Sequence, residues 1–167
     1  DEVFMADIDP RAVRLTQTNI ERNNVGRVAD VGLSEADLFD IRHSAPGERF
    51  DYLDIDPFGS PAPYMDAAVQ AVSNRGVLAF TATDMAALCG RHPWAGLRRY
   101  GGLPIRTPFP KEFGVRLLLY AAVASAAKQG MGAKPILAYT ERHYARGYVL
   151  LARGVSRANE ALRTVGL

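Results

Sequence analysis

The chain is poor in the residues that staple or metallate small proteins. It holds one cysteine, Cys89, so no disulfide framework can form within it. Its three histidines, His43, His92 and His143, are scattered, and no Cys-x-x-Cys spacing occurs. No metal site is expected. Long apolar runs are also missing. The longest nearly unbroken one covers residues 117–127, and a membrane-spanning helix needs about 20 residues. No membrane association is therefore expected. With no signal-peptide pattern before the first apolar stretch, a cytoplasmic location is the expectation.

What is present suits one folded domain. Of 167 residues, 48% are apolar and 23% are charged, which excludes a disordered tail. The charge is unevenly spread. Residues 1–60 carry 13 acids against 6 arginines, a net of −7, and residues 61–167 carry 5 acids against 14 Lys and Arg, a net of +9. An acidic end suits a cationic or hydroxyl-rich ligand, and a basic end suits phosphate. Chance variation of a solvated surface would give the same sums.

Short β-rich runs alternate with helical ones. The pattern predicts strands at 3–7, 28–33, 50–55 and 77–83, with a loop or short helix at 35–41. Asp9-Pro10 reads as an N-cap followed by proline in the first turn, predicting a helix to about Asn24. Ser60-Pro61 repeats that signal, for a helix ending near Asn74. Residues 84–109, rich in Gly, Pro and Arg, read as irregular. A long helix follows over 110–129, with Leu117, Leu118 and Val123 as core, then a closing antiparallel pair at 136–140 and 147–152. Strands alternating with helices predict an α/β fold, its mostly parallel sheet covered on both faces. Ligands of such sheets sit beyond the carboxyl ends of the strands.

Carboxylates stand at three of those ends: Asp7 and Asp9, Asp37, then Asp54 and Asp56. An acid such as Asp7 can accept from both hydroxyls of a ribose, whereas Asp9, directly before Pro10, suits a helix cap. Asp37-Leu38 could accept from an adenine amine and pack its ring edge, or be a loop acid beside a buried leucine. The sharpest segment is Asp54-Ile55-Asp56-Pro57-Phe58-Gly59-Ser60-Pro61. The exocyclic amine of a nucleobase is a poor nucleophile, because its lone pair is delocalised into the ring. An acceptor on its N–H, the role read for Asp56, frees that pair for attack. Pro57 stiffens the turn, Phe58 offers a face for stacking a base, and Gly59 lets the backbone turn. An ordinary strand-to-helix turn with a surface acid is the plainer alternative.

Further on, Arg91, Arg98, Arg99, Arg106, Lys111 and Arg116 face Glu112 alone, with Trp94, Tyr100 and Phe109 interleaved. Basic and aromatic residues together suit an RNA backbone and an unstacked base. A solvated arginine face, with Glu112–Arg116 as a helical i,i+4 pair, is the alternative. Thr81-Ala82-Thr83-Asp84 could line the same cleft, or Asp84 could cap a short helix. Cys89 reads as a small packed residue. His143, Tyr144 and Arg146 fall near a turn, in a structural or phosphate-facing role.

These strings, with Leu88-Cys89-Gly90, Glu112-Phe113-Gly114, Leu137-Ala138-Tyr139 and His143-Tyr144, resemble the tRNA (guanine-N2)-dimethyltransferase family. The resemblance implies a Rossmann-like class I fold using S-adenosyl-L-methionine to methylate the N2 amine of tRNA guanosine 26. It implies a catalytic set of Asp56, Pro57 and Phe58, and a cofactor set of Asp7, Ile8, Asp37, Leu38 and Asp54. Phe58, Arg91, Arg98, Arg99, Arg106, Lys111 and His143 would meet the RNA. Against the family pattern, the first strand and its glycine-rich loop have no counterpart here, nor does a C-terminal tRNA-binding domain. Residues 1–167 thus read as a partial catalytic domain, its cofactor cleft lacking one wall. An amino-methyltransferase for another base, in rRNA or DNA, and a non-catalytic RNA-binding module are the rival readings.

Overall fold

The computed structural model describes residues 2–36, 39 and 42–165. Strand β1 (Val3–Asp7) leads into α1 (Pro10–Arg22), and β2 (Ala29–Leu33) returns parallel to β1, with Val3 opposite Ala29 and Asp7 opposite Leu33. The start of α1 follows from its sequence. Asp9 is extended and its carboxylate accepts from the Arg11 amide at 2.8 Å, while Pro10 fills a first-turn position that needs no N–H.

A second parallel pair follows. β3 (Phe50–Ile55) lies beside β4 (Val72–Ala82), and a 3-10 turn (Ala62–Tyr64) and α2 (Met65–Ala71) connect them. The helix expected to reach Asn74 stops at Ala71. Val72 is already extended, fully buried and paired with Phe50, so sheet burial wins over helix continuation. The chain then bulges, with Arg75 at φ 71°, before the register resumes at Tyr52 opposite Val77.

Residues 84–109 are more ordered than expected. They hold α3 (Met85–Leu88) and α4 (Pro93–Tyr100). Proline in the first turn and Gly101 at φ 74° delimit α4, start and stop signals that a short helix makes easy to pass over. α5 (Pro110–Lys128) buries Leu117, Leu118 and Val123, as expected. β5 (Met131–Glu141) and β6 (Tyr144–Arg153) form the antiparallel closing pair and are longer than the sequence suggested. α6 (Val155–Thr164), which the sequence reading did not anticipate, follows them.

The strand order is β3-β4-β6-β5, with β6 antiparallel to both neighbours. The four-stranded sheet is therefore mixed: parallel between β3 and β4, and antiparallel from β4 through β6 to β5. β1 and β2 form a separate two-stranded sheet. What joins it to the larger one is aromatic: the Phe4 and Phe50 rings lie 6.3 Å apart, His43 packs against both, and Phe39 packs against His43 and Phe50. The expected two-sided cover is not complete. Helices α2, α5 and α6 pack together as one layer against the four-stranded sheet. In β6, Ala145, Gly147, Val149 and Leu151 point into that layer and are buried, while the alternating Tyr144, Arg146 and Tyr148 stay half-buried on the other face.

Candidate active site

That half-covered face carries the site. Asp54 sits opposite Ala79, and Arg146 sits opposite both Thr81 and Tyr139. Side chains two residues apart share a face. Asp54, Thr81, Tyr139 and Arg146 therefore project on one side, and Asp56, Thr83 and Tyr144 extend the same rows. They meet at the carboxyl ends of β3 and β4. Asp56, Thr81, Thr83, Tyr139, His143, Tyr144 and Arg146 line an open cavity of about 400 Å³ there. A larger hollow of about 630 Å³, lined by Gln17, Ile20 and Arg27 among others, lies at the opposite, amino end of β2, and no residue singled out for chemistry borders it.

The Asp56–Ser60 loop is held firmly, although Asp56 and Phe58 themselves make no hydrogen bond among the described residues through their side chains. Asp56 is exposed, and the Phe58 ring stands wholly in solvent. Gly59 adopts φ 88°, which favours glycine. Its amide donates to the Thr83 hydroxyl at 2.9 Å, and its carbonyl accepts from the Thr83 amide at 2.8 Å. One residue on, the Ser60 hydroxyl donates to the Tyr100 hydroxyl at 2.9 Å, and Tyr100 donates to Asp84 at 2.5 Å. Arg99 closes the chain with an ion pair to Asp84 at 2.8 Å. Burial and the hydrogen bond to the Asp84 carboxylate push the Tyr100 phenol far above its ordinary range. Asp84 stands at the N-cap position of α3, where its carbonyl accepts from the Ala87 amide at 2.9 Å, but its carboxylate makes no capping bond and faces Tyr100 and Arg99 rather than the cavity, which Thr81 and Thr83 of the same string do line.

Arg146 is the structural hub of the cavity. Its Nε donates to the Tyr148 hydroxyl at 2.7 Å, its Nη1 to the Thr81 hydroxyl at 2.5 Å, and its Nη2 to the Asp54 carboxylate. Burial disfavours its charge, yet the Tyr148 hydroxyl and the Asp54 carboxylate outweigh that and raise its pKa further. Asp54 thus has partners within the chain, Arg146 and the Tyr52 hydroxyl at 3.1 Å. Tyr139 was not among the expected site residues, and Arg146 was expected only near a turn, in a structural or phosphate-facing role. The signal was there: an arginine alternating with Ala145 and Gly147 inside a strand has nowhere to go but the polar face.

At the carboxyl end of β1, Asp7 is exposed and uses one oxygen to accept from the Asp9 amide at 2.7 Å. The neighbouring Ile8 is 67% exposed. Asp37 and Leu38 lie outside the described residues. The basic residues are brought partly together. Arg91 and Lys111 both act electrostatically on Cys89, whose thiol burial nonetheless pushes upward, and Arg106 lies by Gly90. Lys111 donates to the Arg142 carbonyl at 3.2 Å, which places it at the hairpin tip beside His143. Arg98 is exposed on α4, near the exposed Trp94. Glu112 and Arg116 form the expected helical pair at 2.8 Å. Among the described residues no cluster of three His, Cys, Asp or Glu is placed to hold a metal, and no helix is long and apolar enough to cross a membrane.

The fold is shared with S-adenosyl-L-methionine-dependent methyltransferases. An O-methyltransferase from Bacillus cereus, solved in complex with SAH, superposes with a TM-score of 0.57 at 17% identity, over 89% of this chain and 62% of that one. Trm1 from Pyrococcus horikoshii, solved with S-adenosyl-L-methionine, superposes with a TM-score of 0.89 at 34% identity, over 96% of this chain and 46% of that one. The tRNA (guanine(26)-N(2))-dimethyltransferase of Haloarcula marismortui is 42% identical over 99% of this chain and 42% of its own length. The enzyme of that name from Methanopyrus kandleri is 39% identical over 98% of this chain and 43% of its own length. The chain thus spans less than half the length of these relatives. The model of the family described as N2,N2-dimethylguanosine tRNA methyltransferase matches residues 1–167, and the chain belongs to that family.

Proposed function

We propose that this chain supplies the catalytic centre of an enzyme that methylates the exocyclic N2 amine of guanosine 26 in tRNA, using S-adenosyl-L-methionine. The observation that carries this reading is Asp56: an exposed carboxylate with no partner among the described residues, on the rim of a cavity, two residues before a fully exposed phenylalanine, on a loop that Thr83 and Tyr100 hold still.

Each residue then has a task. Asp56 accepts from an N–H of the target amine, which localises the nitrogen lone pair, and it takes the proton released on transfer. Phe58 stacks on the base once it has left the tRNA stack. Pro57 and the Thr83–Gly59 bridge keep acceptor and ring in fixed relation, so the rate comes from positioning. A monomethylated amine retains one N–H, and the same acceptor serves a second round. Arg91, Arg98, Arg99, Arg106, Lys111 and His143 meet the RNA backbone around the cavity.

The residues at the end of β1 fit the cofactor's nucleoside. Asp7 keeps one carboxylate oxygen without a partner among the described residues, an acceptor for a ribose hydroxyl, and the exposed Ile8 gives an apolar surface for a purine ring. Charge-assisted bonds of this kind contribute about 1.5–3 kcal/mol each. When bound, the cofactor supplies an electrophilic methyl on a sulfonium. Asp37 and Leu38 are assigned to its adenine. Asp54 engages Arg146 and Tyr52 through one oxygen, and its other oxygen, without a partner among the described residues, is a further acceptor for the cofactor at the end of β3.

The test is direct. The full-length gene product is incubated with S-adenosyl-L-methionine and an unmodified tRNA transcript, and the nucleosides are resolved by mass spectrometry. N2-methylguanosine and N2,N2-dimethylguanosine at position 26 are expected, and Asp56→Ala should abolish both while cofactor binding by calorimetry persists. Methylation confined to another base, or an Asp56→Ala enzyme as active as wild type, overturns the reading.

A further inference from the structure

Arg146 is bound on three sides and still borders the cavity. A guanidinium has five N–H donors. Three are used, on Tyr148 in its own strand, Thr81 in β4 and Asp54 in β3, a fourth interacts with the Tyr52 hydroxyl, and one is left without a partner among the described residues. Its carbon lies 5.1 Å from the centre of the Tyr148 ring. Three anchors on three strands leave the group no freedom to drift, and only 14% of the side chain is exposed. A cation so fixed, beside a cavity and with a donor to spare, is preorganised for an acceptor on a ligand.

The position of Asp56 says which acceptor. Asp54 and Asp56 lie two residues apart on one face, about 6.6 Å between Cα atoms in extended chain. Arg146 grips the first, so the guanidinium and the Asp56 carboxylate form a donor next to an acceptor along one wall. Guanine presents the complement on its Watson–Crick edge: the O6 acceptor, then the N1–H and N2–H donors. Adenine presents an amine where guanine has O6, and would set donor against donor.

We propose that Arg146 reads O6 of the target guanine while Asp56 holds its 2-amine, which makes Arg146 a specificity-determining residue. This deepens the methyltransferase reading and rests on it. Hydrogen-bonded discrimination of this kind is worth a rate ratio of roughly 10- to 100-fold.

The experiment uses the full-length gene product and three tRNAs carrying guanosine, 2-aminopurine or 2,6-diaminopurine at position 26. Both analogues keep the 2-amine; the first lacks any group at C6 and the second has a donor there. The wild-type kcat/KM is expected to fall roughly 10- to 100-fold on each analogue. Arg146→Met should shrink the guanosine-to-analogue ratio roughly 10-fold or more, to the part set by amine nucleophilicity and by N1, which carries hydrogen only in guanosine, and Arg146→Lys, which keeps a cationic donor, should retain part of the preference. Comparing ratios cancels differences in the intrinsic nucleophilicity of the amines. A purely structural role would slow all three substrates by one factor and leave the ratio unchanged, and that result overturns the proposal. So does a wild-type enzyme that accepts 2,6-diaminopurine as readily as guanosine, an arm that needs no variant to fold. Failure of the wild type on guanosine itself would instead sink the methyltransferase reading.

Discussion

Thr83 grips Gly59 twice, accepting from its amide with the side chain at 2.9 Å and donating to its carbonyl from the backbone at 2.8 Å. The first residue after β4 thereby fixes the loop that follows β3. Gly59 sits at φ 88°, where a β-carbon is strained, and nothing lies within 4 Å of the place it would occupy. Gly59→Ala is therefore a backbone experiment free of clashes. It should cost about 1–2 kcal/mol, and the loop, rather than the core, should relax. The expected outcome is a large loss of kcat with a small loss of melting temperature. Equal losses in both would show that the loop geometry is not tuned for turnover.

Tyr100 carries a second tie. It is almost fully buried, accepts from Ser60 and donates to Asp84. Tyr100→Phe keeps the ring and leaves both partners one hydrogen bond short, at a cost of about 1–3 kcal/mol. Chemical denaturation should register that loss in the midpoint, with an unchanged slope. Because burial and the Asp84 carboxylate keep the phenol protonated, ultraviolet titration of wild type should show one tyrosine that stays un-ionised when the exposed ones titrate.

The legible part of this protein was local. Asp9 before Pro10 and Glu112 four residues before Arg116 each hold their meaning within a few residues, and the structure keeps both geometries, whereas Ser60-Pro61 opens only a 3-10 turn and α2 starts later, at Met65. The cavity was legible only in halves. Asp56 announces itself, but Arg146, which borders the same cavity, belongs to a strand whose neighbour could not be known in advance. Its bond to Asp54 spans 92 residues and that of Tyr100 to Ser60 spans 40. The insertion of β6 between β4 and β5, which creates the wall, depends on long-range pairing that no local pattern encodes. The end of α2 was misplaced for the same reason: Val72 leaves the helix because a sheet position is waiting for it.

Phe58 separates binding from folding. Its ring is fully exposed, so removing it takes nothing from the core. Phe58→Ala should leave the melting temperature unchanged. If the ring stacks on the displaced base, the loss is about 1–3 kcal/mol, read as a fall in kcat/KM for tRNA with cofactor affinity intact. An unchanged kcat/KM would remove Phe58 from base recognition.

Cys89 tests the packing between α3 and α5. Burial pushes its thiol up, and the nearby positive charges of Lys111 and Arg91 only partly offset that. The thiolate is the reactive form, so a raised pKa means less of it at any pH below that value. Alkylation by iodoacetamide at neutral pH should be slower than for a free thiol. Lys111→Gln should slow it further, since the charge that favours the thiolate is gone. Faster alkylation in that variant would mean that the loop had opened.

The basic residues make a quantitative claim about RNA. Arg91 and Arg98 are exposed, and neither has an ion pair among the described residues, whereas Arg99 is held by Asp84. Each phosphate contact adds about 0.7 to the slope of log affinity against log salt on single-stranded RNA, and about 0.9 on duplex. Changing Arg91 and Arg98 to Gln should reduce that slope by roughly 1.4–1.8 for tRNA in total if both meet phosphate. Arg99→Gln should reduce it less and should cost stability, because it strips Asp84 of its cation. An unchanged slope in the Arg91 and Arg98 double variant would place the RNA on another face of the protein, away from α4.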